Sequence, residues 1–153
     1  MKGLNENSVQ ADAAITKIAQ GDTPFTFDAT HSPDLFPILS VYAGYCKGHS
    51  EIKGLHRLVH KESNRIESIR AMLNNLGIRY SVADDVLIVE GGKAFASCAI
   101  DTHNDHRIVM AAAIAALNAA GPVIIEGAEA VNKSYPAFFD DLLSLGVNCQ
   151  FVN

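Results

Sequence analysis

Two stretches, "PDLFPILSVYAGYCKGHSEIKG" (residues 33–54) and "DHRIVMAAAIAALNAAGPVIIEG" (residues 105–127), decide the fold when set side by side. Each reads as an apolar helix, a glycine, a short β-rich strand and a second glycine. Gly48 and Gly54 have counterparts in Gly121 and Gly127, both 73 positions on. The segments that follow correspond as well. "HKESNRIESIRAMLNNLGIRYSV" (60–82) and "NKSYPAFFDDLLSLGVNCQFV" (132–152) each run lysine, helix, "LG", strand, with Lys61 and Lys133 72 apart. The chain thus holds two copies of a unit of about 72 residues, and self-similarity at a fixed period is the mark of a repeat architecture.

Upstream, "SVQADAAITKIAQGDTPFTFDAT" (8–30) reads as a helix and a strand and matches only the closing part of a unit. We expect the tail of one unit at 1–30, a second unit at 31–102 and a third at 103–153. Together they form a single partial domain of a chain that begins partway through a larger architecture.

The expected elements are helices at about 8–20, 34–47, 62–76, 105–119 and 135–145. The expected strands are 24–28, 49–54, 78–83, 85–90, 96–100, 122–126 and 147–152. Ser32 and Pro33 fit a helix start, and Gly77 and Gly146 fit helix ends. Asp84 and Asp85 mark a hairpin. Strands alternating with helices indicate layered α/β structure with crossovers long enough for parallel pairing.

Composition narrows the function. With 153 residues, 48% hydrophobic and 19% charged, the chain reads as globular. A net charge of −5 argues against a nucleic-acid partner. Three scattered cysteines show neither metal nor disulfide spacing and suit a reducing cytoplasm. The opening "MKGLNENSVQ" has no apolar run, so no signal peptide is expected. The longest apolar stretch, before Asn118, is too short to span a membrane.

Four polar clusters fall at strand-to-helix junctions: Asp34; Lys61, Glu62 and Arg65; Asp105, His106 and Arg107; Lys133 with Ser134. The repeat places them on a common rim. Cations at a helix N-terminus oppose the macrodipole, but they make sense around a multiply charged anion. The plainer alternatives are a solvated helix face for Lys61 and Arg65 and ordinary first-turn acids for Asp34 and Asp105. His103, Asp105 and His106 resemble a metal cluster but lack a further ligand at useful spacing. The pair Gly91–Gly92 reads as a turn, and the stripe Ile66, Ile69, Leu73, Leu76 as core.

These residues also carry a family resemblance. "HKESNRI" resembles the K-E-S-D-R signature of the 5-enolpyruvylshikimate-3-phosphate synthases, and "NDHRIVMA" their D-H-R signature. "SPDLFPIL" and "VNKSYPAFF" are similar to their P-D and K-[ST]-[FY]-P segments, in the family's order. The resemblance covers nearly the whole chain and matches the C-terminal part of that enzyme. It implies the enolpyruvyl transferase fold, an inside-out α/β barrel of repeated βαβαββ units. The implied activity is transfer of the enolpyruvyl group of phosphoenolpyruvate to the 5-hydroxyl of shikimate 3-phosphate, without metal or cofactor.

The implied roles follow residue by residue. Asp34 accepts the hydroxyl proton and helps bind shikimate 3-phosphate, and Lys61 contacts that substrate. Glu62 moves a proton at the methylene carbon. Arg65, Arg107 and Lys133 hold phosphoenolpyruvate. Asn64 stands where the family has Asp, and Val59 where it has Arg; both lie beside Lys61 and Arg65. The family's N-terminal domain supplies further contacts, so this chain alone is expected to be inactive. Two other readings are a UDP-N-acetylglucosamine enolpyruvyl transferase and a non-catalytic binding or assembly module.

Overall fold

The computed structural model describes residues 15–19, 21–59 and 64–152. A short helix α1 (Ile15–Ile18) precedes strand β1 (Thr26–Asp28). A 3-10 turn at Pro33–Leu35 leads into α2 (Phe36–Tyr45), then β2 (Gly48–Lys53) and a second 3-10 turn at Leu55–Leu58. Helix α3 (Arg65–Asn75) is followed by the hairpin β3 (Arg79–Ala83) and β4 (Val86–Gly91). Next come β5 (Cys98–Asp101), α4 (His106–Ala116), β6 (Val123–Glu126), a 3-10 turn at Ala128–Lys133 and α5 (Phe138–Ser144).

Two sheets form. One has the order β1-β2-β4-β3, with β1 and β2 parallel and both remaining pairs antiparallel. The other has β5 and β6, parallel. The parallel pairing expected from the α/β alternation therefore holds for β1–β2 and β5–β6, while the hairpin adds two antiparallel ladders. Asp84 takes the left-handed conformation that the turn needs (φ 51°), a conformation that Asp tolerates better than most residues.

Helix α2 is apolar nearly all round and buries Phe36, Leu39, Val41 and Ala43. A helix with no polar face belongs in the centre of a fold. It lies between the four-stranded sheet and α4, whose run Ala111, Ala112, Ala113 and Ala115 is buried and lets the backbones approach closely. The main core joins both sheets through α2, α3 and α4. A second cluster fills the far side of α4 with Val109, Ala113, Val131, Phe138 and Leu142.

The sequence repeat reappears bond for bond in the loops. Ala29 N–H donates to the Lys53 carbonyl (3.0 Å), and Thr102 N–H to the Glu126 carbonyl (3.3 Å). Ser32 N–H donates to Ala29 and Asp105 N–H to Thr102, both at 2.9 Å. The carboxylate of Asp28 accepts from Thr30 N–H, and that of Asp101 from His103 N–H. Gly54 (φ 99°) and Gly127 (φ 72°) both turn the chain after their strands. A Cβ at Gly54 would sit 2.8 Å from Thr30 N, and one at Gly127 2.8 Å from Thr102 Oγ1, so neither can carry a side chain without a shift.

Some expected elements move or fail. The helix expected from residue 34 starts as a 3-10 turn, and Ser32 makes no side-chain cap, because Pro37 fits the first turn of the α-helix proper. Of the helix expected at 8–20, residues 15–18 are helical and 8–14 lie outside the described residues. The helix expected at 135–145 begins at Phe138, after Pro136. The strand expected at 147–152 does not form: these residues belong to no helix or strand and pair with no described strand.

Candidate functional site

The four strands that run parallel in pairs, β1, β2, β5 and β6, all deliver the chain to a turn or helix start at their C-terminal ends. Such ends are where open α/β folds collect polar groups. The expected site residues Asp34, Arg65 and Arg107 come from three of these junctions, and the fold brings them together.

Arg65 is the hub. Its side chain is 1% exposed, although it opens α3 at what would otherwise be a solvated end. Its Nε donates to Asp105 Oδ2 and its Nη1 to Asp34 Oδ1, both at 2.8 Å. Asp105 is fully buried and serves twice: its other oxygen accepts from the Arg107 backbone N–H at 2.9 Å and caps α4. An N-terminal carboxylate that caps and also neutralises a buried guanidinium is stabilised by both the helix and the cation. A buried arginine is tolerable only with such partners.

Arg107 stands at the rim, with its side chain 26% exposed and that of Asp34 33%. Its Nη2 donates to Asp34 Oδ2 at 2.7 Å, and its Nη1 lies 2.6 Å from His106 Nε2. Asp34 therefore accepts one guanidinium on each oxygen. Asp34 and Arg107 are 73 positions apart: they occupy the same place in the two copies of the repeat and carry opposite charge.

Lys133 is placed differently from expectation. It ends a 3-10 turn rather than opening α5, and its Nζ donates to the Asn104 carbonyl at 2.6 Å. That contact ties it to the loop just before Asp105, where His103 and Asn104 both adopt left-handed conformations (φ 49° and 59°). Lys61 and Glu62 lie outside the described residues. Asn64 is exposed and precedes α3 without a side-chain cap; its carbonyl accepts from Glu67 and Ser68 N–H. Val59 is exposed.

Sequence reasoning put Asp105 in a rim cluster with His106 and Arg107, with an ordinary first-turn acid as the plainer alternative, and gave it no partner. The structure makes it the buried anchor of Arg65. Its position immediately before an apolar helix and two residues from an arginine was a visible signal for a cap, but not for the partner 40 positions away. Among the described residues no group of three His, Cys, Asp or Glu side chains could hold a metal. No described helix is long and apolar enough to cross a membrane. A surface hollow of about 570 Å³, lined by His49, Arg79, Tyr80 and Glu90 among others, lies along the β3–β4 hairpin and shares no lining residue with the rim.

Chemically, the rim offers a carboxylate held between two guanidiniums, with a lysine on the adjoining loop. It suits an anion that can exchange with Asp34 for the exposed side of Arg107, and a hydroxyl that Asp34 can accept from.

The chain resembles known proteins over most of its length. The family model for EPSP synthase (3-phosphoshikimate 1-carboxyvinyltransferase) matches residues 2–142. The 3-phosphoshikimate 1-carboxyvinyltransferase of Thermococcus kodakarensis is 46% identical over 118 residues, covering 77% of this chain and 29% of that protein. That of Clostridium acetobutylicum is 38% identical over 161 residues, covering 95% and 38%. EPSP synthase from Acinetobacter baumannii superposes with a TM-score of 0.69 at 30% identity, over 77% of this chain and 28% of that one. The enolpyruvyl transferase NikO from Streptomyces tendae shares the fold (TM-score 0.65, 24% identity). The chain spans well under half the length of these relatives.

Proposed function

The chain belongs to the EPSP synthase family, and from that premise we propose that its rim is one wall of a site that transfers the enolpyruvyl group of phosphoenolpyruvate to the 5-hydroxyl of shikimate 3-phosphate. The observation that carries the reading is Asp34 held on both oxygens by Arg65 and Arg107. It sets an acceptor for a hydroxyl proton beside the cations that an incoming phosphate and carboxylate need.

In this reading the shikimate hydroxyl adds to C2 of phosphoenolpyruvate, its proton going to Asp34 while a proton reaches the C3 methylene from Glu62. Loss of a proton from that carbon then expels inorganic phosphate and restores the double bond. Arg107 and Lys133 hold the phosphoenolpyruvate anion, Lys61 the shikimate phosphate. Arg65 contributes from beneath, fixing the carboxylate of Asp34 and, through Asp105, the start of the helix that carries Arg107. Positioning of this kind supplies much of the rate in transfers between bound reactants.

The units 31–102 and 103–153 would be two of the repeats of the family's C-terminal domain, with the tail of another at 1–30. The partner of the site is the N-terminal domain, and the reaction would run in the cytoplasm, where the described cysteines stay free. This chain alone binds phosphoenolpyruvate weakly and does not turn over.

An assay of phosphate release with both substrates tests this, run on the chain alone and on a version joined to a family N-terminal domain. Turnover only after joining is expected. Turnover with UDP-N-acetylglucosamine instead of shikimate 3-phosphate would overturn the assignment of acceptor. Micromolar binding of phosphoenolpyruvate to the isolated chain would overturn the dependence on the second domain.

A further inference from the structure

One turn of the rim adopts a strained form that its counterpart in the first copy does without. Residues 102–105 and 29–32 make the same hydrogen-bonded turn. Asp105 N–H closes one on the Thr102 carbonyl and Ser32 N–H the other on that of Ala29, both at 2.9 Å. In the second copy both central residues, His103 (φ 49°) and Asn104 (φ 59°), lie in the left-handed region, as a type I′ turn requires. Among the described residues the only other non-glycine with positive φ is Asp84, so Thr30 and His31 make their turn without it. Left-handed backbone is unfavourable for a residue with a Cβ, and Asn and His are among those that tolerate it best. Strain of this kind persists where the surroundings enforce it, and it gathers at functional sites.

Two contacts hold the strained turn. The Asp101 carboxylate accepts from His103 N–H at 2.7 Å and lies 3.2 Å from its ring Nδ1. On the other side the Asn104 carbonyl accepts from Lys133 Nζ at 2.6 Å. The backbone contact of Asp101 has a twin in Asp28, which accepts from Thr30 N–H at 2.9 Å, so it does not account for the change of hand. The lysine contact does: reversing the hand of a turn re-aims its carbonyls, and that of Asn104 meets a lysine 29 positions on.

Lys133 is exposed at the end of its 3-10 turn. A lysine side chain gives up much rotamer freedom when an anion fixes it, and Lys133 has given up part of it beforehand. Its partner is a neutral carbonyl, so the positive charge stays available. An ammonium has three hydrogens, and those not on Asn104 remain for the oxygens of a phosphate or carboxylate. The next residue, Asp105, holds Arg65 and caps the helix that carries Arg107. One turn thus sets the cations of the rim, Lys133 through a carbonyl and the two arginines through a carboxylate. We propose that Asn104 is a positioning residue of the anion site: its left-handed backbone aims its carbonyl at Lys133 and presets that ammonium for substrate. This role rests on Lys133 holding phosphoenolpyruvate, as proposed above.

The test labels the whole chain with a small lysine-acylating ester and reads the rate at Lys133 by mass spectrometry against that at Lys93, another exposed lysine. Binding of phosphoenolpyruvate is read on the same variants by NMR titration. Asn104→Gly keeps the left-handed backbone without steric penalty and is expected to leave both the rate ratio and the affinity close to those of the parent chain. Asn104→Ala makes that backbone unfavourable, so the ratio is expected to rise several-fold. Phosphoenolpyruvate is then expected to bind about three- to tenfold more weakly, the scale of immobilising one long side chain. Asn104→Ser, which also lacks asparagine's tolerance of the left-handed region, replaces Asn104→Ala should that chain fail to fold. A fold that is merely loosened speeds both lysines and leaves their ratio alone. An unchanged ratio in Asn104→Ala would overturn the proposal. So would an equal rise in the alanine and glycine variants, since the asparagine side chain and not its backbone would then be acting. A ratio that rises only with alanine while affinity stays constant would show Lys133 aimed but holding no phosphoenolpyruvate. That result overturns the place of Lys133 in the proposed site, and the presetting with it, and is distinct from a failure of aiming.

Discussion

The first and second copies of the repeat share their loop hydrogen bonds and little of their chemistry. At one position the first copy has Asp34 and the second Arg107, and the two side chains meet at 2.7 Å. Behind that pair, Asp105 stands in the place of Ser32; both are buried, but only Asp105 caps its helix. Among the described residues the strands around β2 form a four-stranded sheet and those around β6 a two-stranded one. The repeated backbone brings equivalent positions face to face. The two positions carry opposite charge, so the repeat's symmetry ends in an ion pair.

The largest expected effect breaks the comparison at its hub. Arg65→Ala leaves Asp105 fully buried without its guanidinium, and removing one partner of a buried pair costs about 3–5 kcal/mol. Arg107→Ala, at the rim, should cost under about 1 kcal/mol. Urea unfolding of both variants reads the contrast directly. Equal losses would mean that Arg65 is not the asymmetric anchor its burial implies.

Next in size is the contrast between the two sheets. Ile52, with no exposed surface in β2, and Ile125, half-buried in β6, are counterparts. Ile52→Ala should cost about 2–5 kcal/mol. Ile125→Ala should cost less than about 2 kcal/mol, because fewer atoms surround it.

A smaller effect probes the charge difference itself. Asp34→Asn removes the carboxylate that occupies Arg107. Inorganic phosphate should then bind the rim roughly three- to tenfold more tightly, about 1 kcal/mol, by titration calorimetry. Unchanged or weaker binding would mean that Asp34 holds the guanidiniums in place rather than competing for them.

The repeat, the hairpin at Asp84 and the meeting of Asp34, Arg65 and Arg107 could all be foreseen, because each rests on local pattern or on motifs that travel with it. Asp105 could not, since a capping acid looks the same whether or not a buried arginine arrives from 40 positions away. The strand expected at 147–152 shows the same limit: alternation gives Val147 and Cys149 an inward face, but a ladder needs a neighbour. Lys133 misled in a third way. Its pattern announced a helix start, and Pro136 delayed that start to Phe138.

The smallest effect concerns a staple in the first copy. Asp85, in the hairpin turn, accepts from His56 backbone N–H and ring Nδ1, both at 2.7 Å, while its carbonyl accepts from Gly54 N–H. Partial burial pushes its carboxyl up, but the hydrogen bonds and charge of His56 outweigh that and hold it below the ordinary aspartate value. A carboxyl with a depressed folded value stabilises at neutral pH and loses that contribution as pH falls below about 4. The side chain is 43% exposed, so Asp85→Asn should cost under about 1 kcal/mol at pH 7. In urea unfolding at pH 7 and pH 2.5, the gap between wild type and variant should close at the lower pH. A gap that persists there would place the staple in the turn's geometry rather than in its charge.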